Sequence, residues 1–283
     1  MMNPAWTHKI RVGTCNWADH TDFYPPSLRP TERLGYYARH FSVVEVDSTF
    51  YHLQPARNFA AWAARTPPDF VFDVKAYREL TWHDRQEPSA DTFERFGESL
   101  RPLHEAGKLR AVLFQFPPWF TNQPQHREYL ATCAEFLPDQ TIAVEFRHRS
   151  WLAPEAREET LELLRELGYV HVMVDEPQIG TGSVPPVVAV TNPRLAIVRF
   201  HGRNRQTWYA RTASSGERFD YLYRREELAE WLPAIADVAV QAGEVHLLLN
   251  NNRANYAVRN AKDLQSLLGQ PVTPLESEEE RLL

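Results

Sequence analysis

Residues 141–175, TIAVEFRHRSWLAPEAREETLELLRELGYVHVMVD, contain the smallest repeating unit of the fold. Two short and mostly apolar runs, Thr141–Phe146 and His171–Asp175, are interpreted as β-strands. The stretch between them, Pro154–Leu167, is interpreted as a helix that ends before Gly168. Two neighbouring parallel strands need a crossover connection of about a dozen or more residues. The sequence therefore predicts a strand–helix–strand unit here.

Six further runs of the same kind occur along the chain, so that eight strands are expected. These six are Ile10–Gly13, Val43–Asp47, Phe70–Lys75, Ala111–Phe116, Ala196–Phe200 and Val245–Asn250. Their nearly continuous apolar character is typical of strands that are buried on both faces of a parallel sheet. Successive strands start between 25 residues (171 to 196) and 49 residues (196 to 245) apart. This spacing leaves room for a crossover after each strand.

Helices are expected between most of these strands. The predicted segments are Thr31–His40, Arg57–Ala64, a helix from the N-cap Asp91 to Ala106, Gln125–Phe136, Pro154–Leu167, Glu226–Gln241 and Asn255–Leu268. The segment Glu176–Arg194 is rich in Pro and Gly, so an irregular or missing helix is expected after the sixth strand. The pattern predicts an α/β fold, a single (β/α)8 TIM-like barrel over residues 9–270. We expect residues 1–8 to form an N-terminal extension and residues 271–283 an acidic, disordered tail.

The composition restricts the class of protein. The chain has 283 residues, and its 31 Lys and Arg against 37 Asp and Glu give a net charge of −6, which argues against nucleic-acid binding by the whole surface. No run of 18 apolar residues predicts a transmembrane helix, and no apolar stretch near the start predicts a signal peptide. The two cysteines, Cys15 and Cys133, make no disulfide framework. We therefore expect a cytoplasmic protein with no membrane partner.

The carboxyl ends of the predicted strands are unusually polar, and in a barrel of this type the active site lies at those ends. The polar residues at or just after the strands are Glu45, Asp47, Lys75, Gln115, Glu145, Arg147, Asp175, Arg199, His201, Asn250 and Asn251, and Trp17 and Tyr51 follow the first two strands. Burying charges costs several kcal/mol unless they are paired. The pattern favours a functional site, and its structural alternative is a network of ion pairs that plugs the barrel.

The mixture of cations and carboxylates predicts a site for an anionic substrate. Arginine binds phosphate and carboxylate groups in a planar, bidentate manner. A carboxylate or an imidazole then serves as acid or base, with His201 as the candidate for proton transfer near neutral pH. The predicted catalytic residues are Glu45, Lys75, Glu145 and His201. The predicted substrate-binding residues are Trp17, Asp47, Tyr51, Gln115, Arg147, Asp175, Arg199, Arg203, Asn250 and Asn251.

The segment 201–225, HGRNRQTWYARTASSGERFDYLYRR, is the most distinctive loop of the chain. It contains six arginines and two acidic residues, and five aromatic residues are interleaved with them. Loops of this length are usually lids or binding loops, and the loops after strands seven and eight bind phosphate in many barrels. Arginines with aromatic rings suit a nucleotide, a sugar phosphate or a single nucleic-acid strand. The alternative is a solvated loop whose rings pack on the body of the protein.

Sequence motifs for cofactors are missing from the chain. It has no GxGxxG, Walker, HExxH, GxSxG or CxxC motif, so no organic cofactor is expected. A divalent metal on Glu45, Glu145, Asp175 and His201 remains possible because barrel ligands need not be close in sequence. It is not favoured, since neighbouring Lys and Arg side chains would compete with it.

Seven motifs resemble, in order and spacing, those of the YecE-like family, also called domain of unknown function 72. They are VGTCNWADHTDFYP, VEVDSTFYHLQP, WAARTPPDFVFDVKA, LFQFPPWF, AVEFRHRSW, VRFHGRN and LNNN…YAVRNA, and they extend from about Lys9 to Leu268. The resemblance implies a TIM-like barrel and leaves the activity open. The family motifs fall on Glu45, Asp47, Ser48, Tyr51, Lys75, Gln115, Glu145, Arg147, Trp151, Arg199, His201, Gly202, Asn250 and Asn251.

Three functions are consistent with these features. The first is an enzyme, namely a hydrolase, isomerase or lyase, that acts on a small phosphate- or carboxylate-bearing substrate. The second is a protein that binds or processes nucleic acid through the loop 201–225. The third is a non-catalytic barrel that binds a small ligand.

Overall fold

The computed structural model describes residues 6–210 and 215–274, which form one closed barrel of parallel strands with helices around it. The strands follow one another around the barrel in chain order. They are β1 (Ile10–Cys15), β2 (Val43–Val46), β3 (Val71–Lys75), β4 (Leu109–Gln115), β5 (Ile142–Glu145), β6 (Val170–Asp175), β7 (Leu195–Phe200) and β8 (Glu244–Leu249). All eight predicted strands are confirmed, and so is the TIM-like barrel.

The barrel closes where β8 pairs with β1. Ile10 lies beside Val245 at one end of this pairing and Thr14 beside Leu249 at the other. On the other side of β1, Gly13 lies beside Val43 of β2. A Cβ atom at position 13 would lie 2.1 Å from the carbonyl oxygen of Val43, so only glycine allows this close approach.

Helices cover the outside of the barrel. They are α1 (Arg33–Tyr37), α2 (Ala56–Ala64), α3 (Ala90–Glu105), α4 (Pro124–Phe136), α5 (Arg157–Glu166), α6 (Ser215–Arg218), α7 (Arg225–Ala229), α8 (Leu232–Gln241) and α9 (Tyr256–Leu267). Short 3-10 helices occur at Thr7–Lys9, Thr21–Phe23, Pro30–Glu32, Ser48–Phe50, Arg78–Thr81 and Arg149–Trp151.

Three helix predictions need correction. Asp91 is not the N-cap of α3, because the helix starts at Ala90, two residues earlier than predicted, and the Ser89 hydroxyl accepts the Thr92 N–H at 3.2 Å. The single helix predicted over Glu226–Gln241 is divided into α7 and α8. Pro233 stands at the start of α8, a position that proline tolerates because no N–H is needed there. In place of the single helix predicted over Thr31–His40, the structure has a short 3-10 helix followed by the five-residue helix α1.

The connection after β6 follows the prediction. Residues 176–194, all of which the structure describes, contain no helix. The predicted N-terminal extension and acidic tail include residues 1–5 and 275–283, which lie outside the described residues. In the described part of the chain, no helix is long and apolar enough to cross a membrane.

A stack of aromatic rings supports the loops that follow β4 and β5. The rings of Phe146 and Trp151 are parallel, with centroids 4.2 Å apart, and Trp151 also stacks on Phe120 at 5.6 Å. The indole N–H of Trp151 donates to the carbonyl oxygen of Phe120 at 2.7 Å. Because Trp119 and Arg147 adjoin Phe120 and Phe146 in the chain, this stack determines where their side chains start.

A separate set of charged residues lies in the N-terminal half of the barrel around the buried ring of His246. Its Nδ1 atom is 2.6 Å from Asp73 Oδ2, and its Nε2 atom is 2.9 Å from Glu244 Oε1. Glu244 also pairs with Arg11 and Arg110. Burial lowers the pKa of His246, but the two carboxylates outweigh this effect and raise the pKa to about 9. The ring is therefore protonated at neutral pH.

We expect His246 to make stability depend on pH. The folded-state pKa is about 9, and the unfolded value is about 6.5. The stabilisation from the charged ring is therefore complete below about pH 6.5 and is lost as the pH rises through 9. A shift of this size corresponds to about 3 kcal/mol. In chemical denaturation, the destabilisation caused by His246→Gln should shrink by about this amount between pH 6 and 9.5. A destabilisation that is independent of pH would contradict this assignment.

Candidate functional site

A cavity of about 780 Å³ opens at the C-terminal end of the barrel. Seven of the predicted site residues line it, namely Asp47, Tyr51, Lys75, Gln115, Arg147, Arg199 and Asn250. A second cavity of about 760 Å³ lies at the N-terminal end, and Arg39 is the one Lys or Arg among its described lining residues. The cluster of basic side chains therefore distinguishes the C-terminal cavity as the candidate site.

Arg199 is the centre of the charged network beneath this cavity. Its side chain is 1% exposed and lies between two fully buried carboxylates. The Nη2 atom is 2.5 Å from Glu45 Oε1, and the Nη1 atom donates to Glu145 Oε2. The same Nη2 atom lies 3.5 Å from the sulfur of Cys15. One guanidinium thus joins β1, β2, β5 and β7 across the interior of the barrel.

Arg147 extends the network from Glu145 toward the loop after β6. Its Nε atom donates to Glu145 Oε1, and its Nη1 atom is 3.3 Å from Glu176 Oε2. Its Nη2 atom lies 3.0 Å from Nε2 of His201. On the other side of the imidazole, the Nδ1 atom is 2.9 Å from Nδ2 of Asn250. The ring of His201 is therefore held in place from both sides.

The buried carboxyl groups of the network differ in their pKa values. Burial tends to raise the pKa of Glu145, but the charges of Arg147 and Arg199 outweigh it and hold this pKa well below its usual range. Burial dominates at Glu45 and Glu176, where the pKa is raised to about 8 in each case, against the opposing charges of Arg199 and Arg147. At neutral pH, Glu145 is therefore ionised, whereas the raised pKa favours the protonated form of the other two carboxyls.

The expectation that His201 titrates near neutral pH is corrected by its surroundings. Burial and the adjacent charge of Arg147 lower its pKa to about 3, although Glu145 opposes them. The imidazole is therefore neutral throughout the physiological range. From the sequence alone, His201 is expected to have the ordinary imidazole pKa, because the burial of the ring and the position of Arg147 are tertiary features.

Lys75 and Asp47 form a less buried pair at the wall of the cavity. The Nζ atom of Lys75 lies 3.7 Å from Asp47 Oδ1 and 4.7 Å from the centroid of the Phe50 ring. At 3.7 Å the pair is too long for a strong hydrogen bond, so the ammonium group keeps donors for another partner. Among the predicted catalytic residues, Lys75 lines the cavity, whereas Glu45, Glu145 and His201 lie in the layer below it.

Four predicted substrate-binding residues lie away from the cavity. Strand register explains Asp175, because Val174 pairs with Arg199 and Asp175 pairs with Phe200, so Asp175 faces the opposite side of the sheet from Arg199. Its oxygens accept from Arg203, Tyr223 and Trp231 at 2.7 Å each.

Asn251 and Trp17, the other two predicted substrate-binding residues that lie away from the cavity, also have protein partners. The Nδ2 atom of Asn251 donates to Tyr221 and Asn260. The ring of Trp17 packs edge-on against Trp62 with a centroid distance of 5.1 Å. Their predicted contacts with substrate have no support in this arrangement, and the same holds for Asp175 and Arg203.

The arginines of the loop 201–225 are paired mainly with acidic residues of the protein. Arg203 binds Asp175 and Glu230, and Arg224 and Arg225 form ion pairs with Glu227 and Asp263. Arg218 lines the cavity, and Arg211 lies outside the described residues. Trp208 and Tyr223 are buried. The loop therefore contributes to the cavity wall, and much of its positive charge is compensated.

The residues do not suit a divalent metal ion. Cys15, Glu45 and Asp47 have donor atoms within 4.8 Å of one another. However, Arg199 contacts both Cys15 and Glu45, and Lys75 pairs with Asp47. Burial also raises the pKa of the Cys15 thiol well above its ordinary value. The metal ligands considered from the sequence, Glu45, Glu145, Asp175 and His201, are also unsuitable as a set. Asp175 faces the other side of the sheet, and Glu145 is bound to two arginines.

Backbone strain is concentrated around this end of the barrel. Among the described residues, four non-glycine residues have positive φ angles, namely Asn16 (65°), Trp82 (60°), Arg85 (58°) and Ala254 (49°). They lie in the loops after β1, β3 and β8, all of which leave the C-terminal ends of strands. Such conformations cost roughly 1–3 kcal/mol each and are often retained at functional sites.

Several residues of the site were missed from the sequence. Glu176 follows Asp175 directly, but a single acidic residue at the start of a loop gives no sign of burial. Asp19, Trp119 and Phe219 line the cavity from three different loops. The pattern LFQFPPWF, which contains Trp119, was a signal that could have identified this ring.

The comparisons with known proteins agree with the fold and the motifs. The model of the family "protein of unknown function DUF72" matches residues 11–281. The chain belongs to the DUF72 family. It is 40% identical over 266 residues to the UPF0759 protein YunF of Bacillus subtilis (strain 168), covering 92% of this chain and 94% of that protein. The resemblance to the YecE-like family is confirmed.

Crystal structures of DUF72 proteins are similar to this chain over nearly its whole length. A DUF72 protein from Enterococcus faecalis V583 has a TM-score of 0.85 and 32% identity, with 95% of this chain and 98% of that chain covered. A DUF72 protein from Thermotoga maritima MSB8 has a TM-score of 0.81 and 34% identity, with 93% and 100% covered. The DUF72 assignment establishes the barrel and leaves the reaction to be inferred from the site.

Proposed function

We propose that this protein is an enzyme that acts on a small substrate bearing a phosphate or carboxylate group, bound in the C-terminal cavity. The observation that carries the proposal is the excess of basic over acidic side chains in the lining of that cavity. Arg147 and Arg199 share one ionised carboxylate, Glu145, because Glu45 and Glu176 hold protons below about pH 8. An anionic group of the substrate would neutralise the excess charge.

The cavity lining is basic even though the chain as a whole is acidic. Its charged lining residues are Lys75, Arg147, Arg199 and Arg218 against Asp19 and Asp47, whereas the net charge of the chain is −6. Arg147 and Lys75 combine a place in the cavity wall with partial burial, since their side chains are 10% and 14% exposed. Partial burial strengthens a charge-assisted hydrogen bond because little water competes for the donors.

The same network can supply a proton to the bound substrate. Glu45 has the raised pKa, and its Oε2 atom accepts no hydrogen bond from the described residues. Asp47 lines the cavity, and its carboxylate lies within 4.8 Å of that of Glu45. In this arrangement Glu45 holds the proton and Asp47 transfers it to the substrate. A buried carboxyl with a raised pKa beside a second carboxyl group is typical of acid–base catalysis, and the pair supports hydrolysis, isomerisation and elimination equally.

Anion binding can be measured before the substrate is identified. Calorimetric titration with inorganic sulfate at pH 7 should show binding, and Lys75→Met should weaken it at least about tenfold because one charge-assisted contact is lost. The matched control is Lys262→Met, since Lys262 contacts His40 and Thr273 at the N-terminal end of the barrel. Equal binding by both variants and the wild type would contradict the proposal.

The affinity for sulfate should also fall as the pH rises above about 8. Glu45 and Glu176 lose their protons there, and the added negative charges repel the anion. Sulfate is the suitable probe because its own charge stays constant over this range. An affinity that stays constant from pH 6.5 to 9.5 would show that these carboxyls do not control the site.

A further inference from the structure

Exposed aromatic side chains are concentrated at the mouth of the cavity. Among the described residues, four aromatic side chains rank as exposed, namely Tyr51 (61%), Trp119 (39%), Tyr209 (56%) and Phe136 (42%). The first three line this cavity. They come from the loops after β2, β4 and β7 respectively. Aromatic rings placed on three sides of one opening offer flat surfaces to a bound molecule.

The ring of Trp119 is fixed in its exposed position. Its indole N–H donates to the carbonyl oxygen of Trp82 at 2.8 Å. The guanidinium carbon of Arg85 lies 4.8 Å from the centroid of the ring. Both partners are among the strained residues, with φ angles of 60° and 58°. Two residues with unfavourable backbone conformations therefore fix the indole of Trp119 at the surface, where the packing of the core does not require an aromatic ring.

The ring of Tyr209 is fixed in a similar way. Its hydroxyl donates to the carbonyl oxygen of Ile179 at 2.6 Å, which joins the loop after β7 to the loop after β6. The ring packs on Gly180 and Gly182, where an added Cβ would lie 3.1 Å from the tyrosine oxygen in both cases. Prepositioned rings lose little conformational freedom on binding, which favours affinity.

We propose that the substrate joins a ring to its anionic group, with one face of the ring packed against Tyr51, Trp119 and Tyr209 and the anion bound by Lys75 and Arg147. This inference rests on the proposed function and specifies the chemical class of its substrate. A nucleoside monophosphate and a pentose phosphate share this chemistry. The first presents a nucleobase to the rings, and the second presents the face of a sugar.

The test compares three ligands that carry the same phosphate chemistry. Calorimetric titration with inorganic phosphate, ribose 5-phosphate and adenosine monophosphate at constant pH and ionic strength separates the ring from the anion. We expect at least one of the two organic phosphates to bind at least about tenfold more tightly than inorganic phosphate. If only adenosine monophosphate binds more tightly than inorganic phosphate, the rings contact the nucleobase. If both organic phosphates bind more tightly by the same factor, the rings contact the sugar.

Ring variants show whether the preference arises at the mouth of the cavity. Tyr51→Leu and Trp119→Leu should each reduce the preference for the organic phosphate and leave the affinity for inorganic phosphate unchanged. Phe136→Leu is the matched control, because Phe136 is exposed on α4 and stacks on Phe93 outside the cavity. Thermal melting of each variant checks that it is folded.

Two results would overturn the inference in distinguishable ways. If inorganic phosphate binds and neither organic phosphate binds more tightly, the ring contacts are refuted while the proposed anion site stands. If none of the three ligands binds to folded wild-type protein, the proposed function fails together with the inference. Preference that persists in both ring variants would also refute stacking on these rings.

Discussion

Replacement of Arg199 by methionine is expected to lower the free energy of unfolding by about 3–5 kcal/mol, because it breaks a buried ion pair with Glu145 and removes the hydrogen bond that the buried carboxyl of Glu45 accepts. Arg199 is 1% exposed and contacts both Glu45 and Glu145. Chemical denaturation at pH 7 measures the change. Arg199→Lys, which keeps one charge but cannot reach both carboxyls in the same way, should give an intermediate loss.

The control for this prediction is an arginine whose ion pairs are at the surface. Arg165 on α5 pairs with Glu158 and Glu162, and its side chain is 37% exposed. Arg165→Met should therefore change the unfolding free energy by about 1 kcal/mol or less. If Arg199→Met is no more destabilising than Arg165→Met, the network at the barrel centre does not have the energetic role assigned to it.

Substitution by glutamine should mainly reduce stability at Glu145 and mainly reduce turnover at Glu45. Glu145 is ionised, so Glu145→Gln leaves two arginines without a buried counter-charge and should cost about 3 kcal/mol of stability or more. Glu45 is protonated at neutral pH, and glutamine resembles a protonated carboxyl in shape. Glu45→Gln should therefore cost about 1 kcal/mol or less. It should reduce turnover about 100-fold or more once a substrate is available, since it cannot release a proton.

The two glutamine variants are controls for each other because they change the same chemical group within one network. Denaturation at pH 7 gives the stability comparison, and steady-state kinetics at the same pH gives the activity comparison. Equal destabilisation by both substitutions would show that the two carboxyls share the same ionisation state. Undiminished turnover in Glu45→Gln would remove Glu45 from the proton pathway.

The barrel could be predicted from the sequence because its strands have a local signature. A strand such as Val170–Asp175 is apolar on both faces, and each strand is followed by a connection long enough for a crossover. Helix ends were less predictable. Ser89 and Asp91 are both good N-caps, and the choice between them depends on a hydrogen bond to Thr92 that exists only in the folded chain.

The candidate site was predictable where a residue lies on a strand and faces inward. Glu45, Lys75, Glu145 and Arg199 satisfy this condition, and they meet at one end of the barrel. Asp175 shows the limit of the approach, because a shift of one residue along a strand reverses the face to which a side chain points.

The ionisation states and the aromatic mouth of the cavity could not be obtained in the same way. The low pKa of His201 depends on burial and on Arg147, which is 54 residues away in the chain. Trp119 and Tyr209 are positioned by contacts between loops, which have no periodic pattern in the sequence. Such features follow from tertiary structure, and their chemistry becomes visible once the loops are placed.

The proposed function depends above all on the binding of the anionic group of a substrate by Lys75 and Arg147 in the C-terminal cavity. A high-resolution crystal structure of the protein at a phosphate concentration that saturates binding in solution tests this claim most directly. We expect a phosphate within hydrogen-bond distance of Lys75 Nζ and the Arg147 guanidinium. Phosphate bound elsewhere, with water alone between these two side chains, would contradict it.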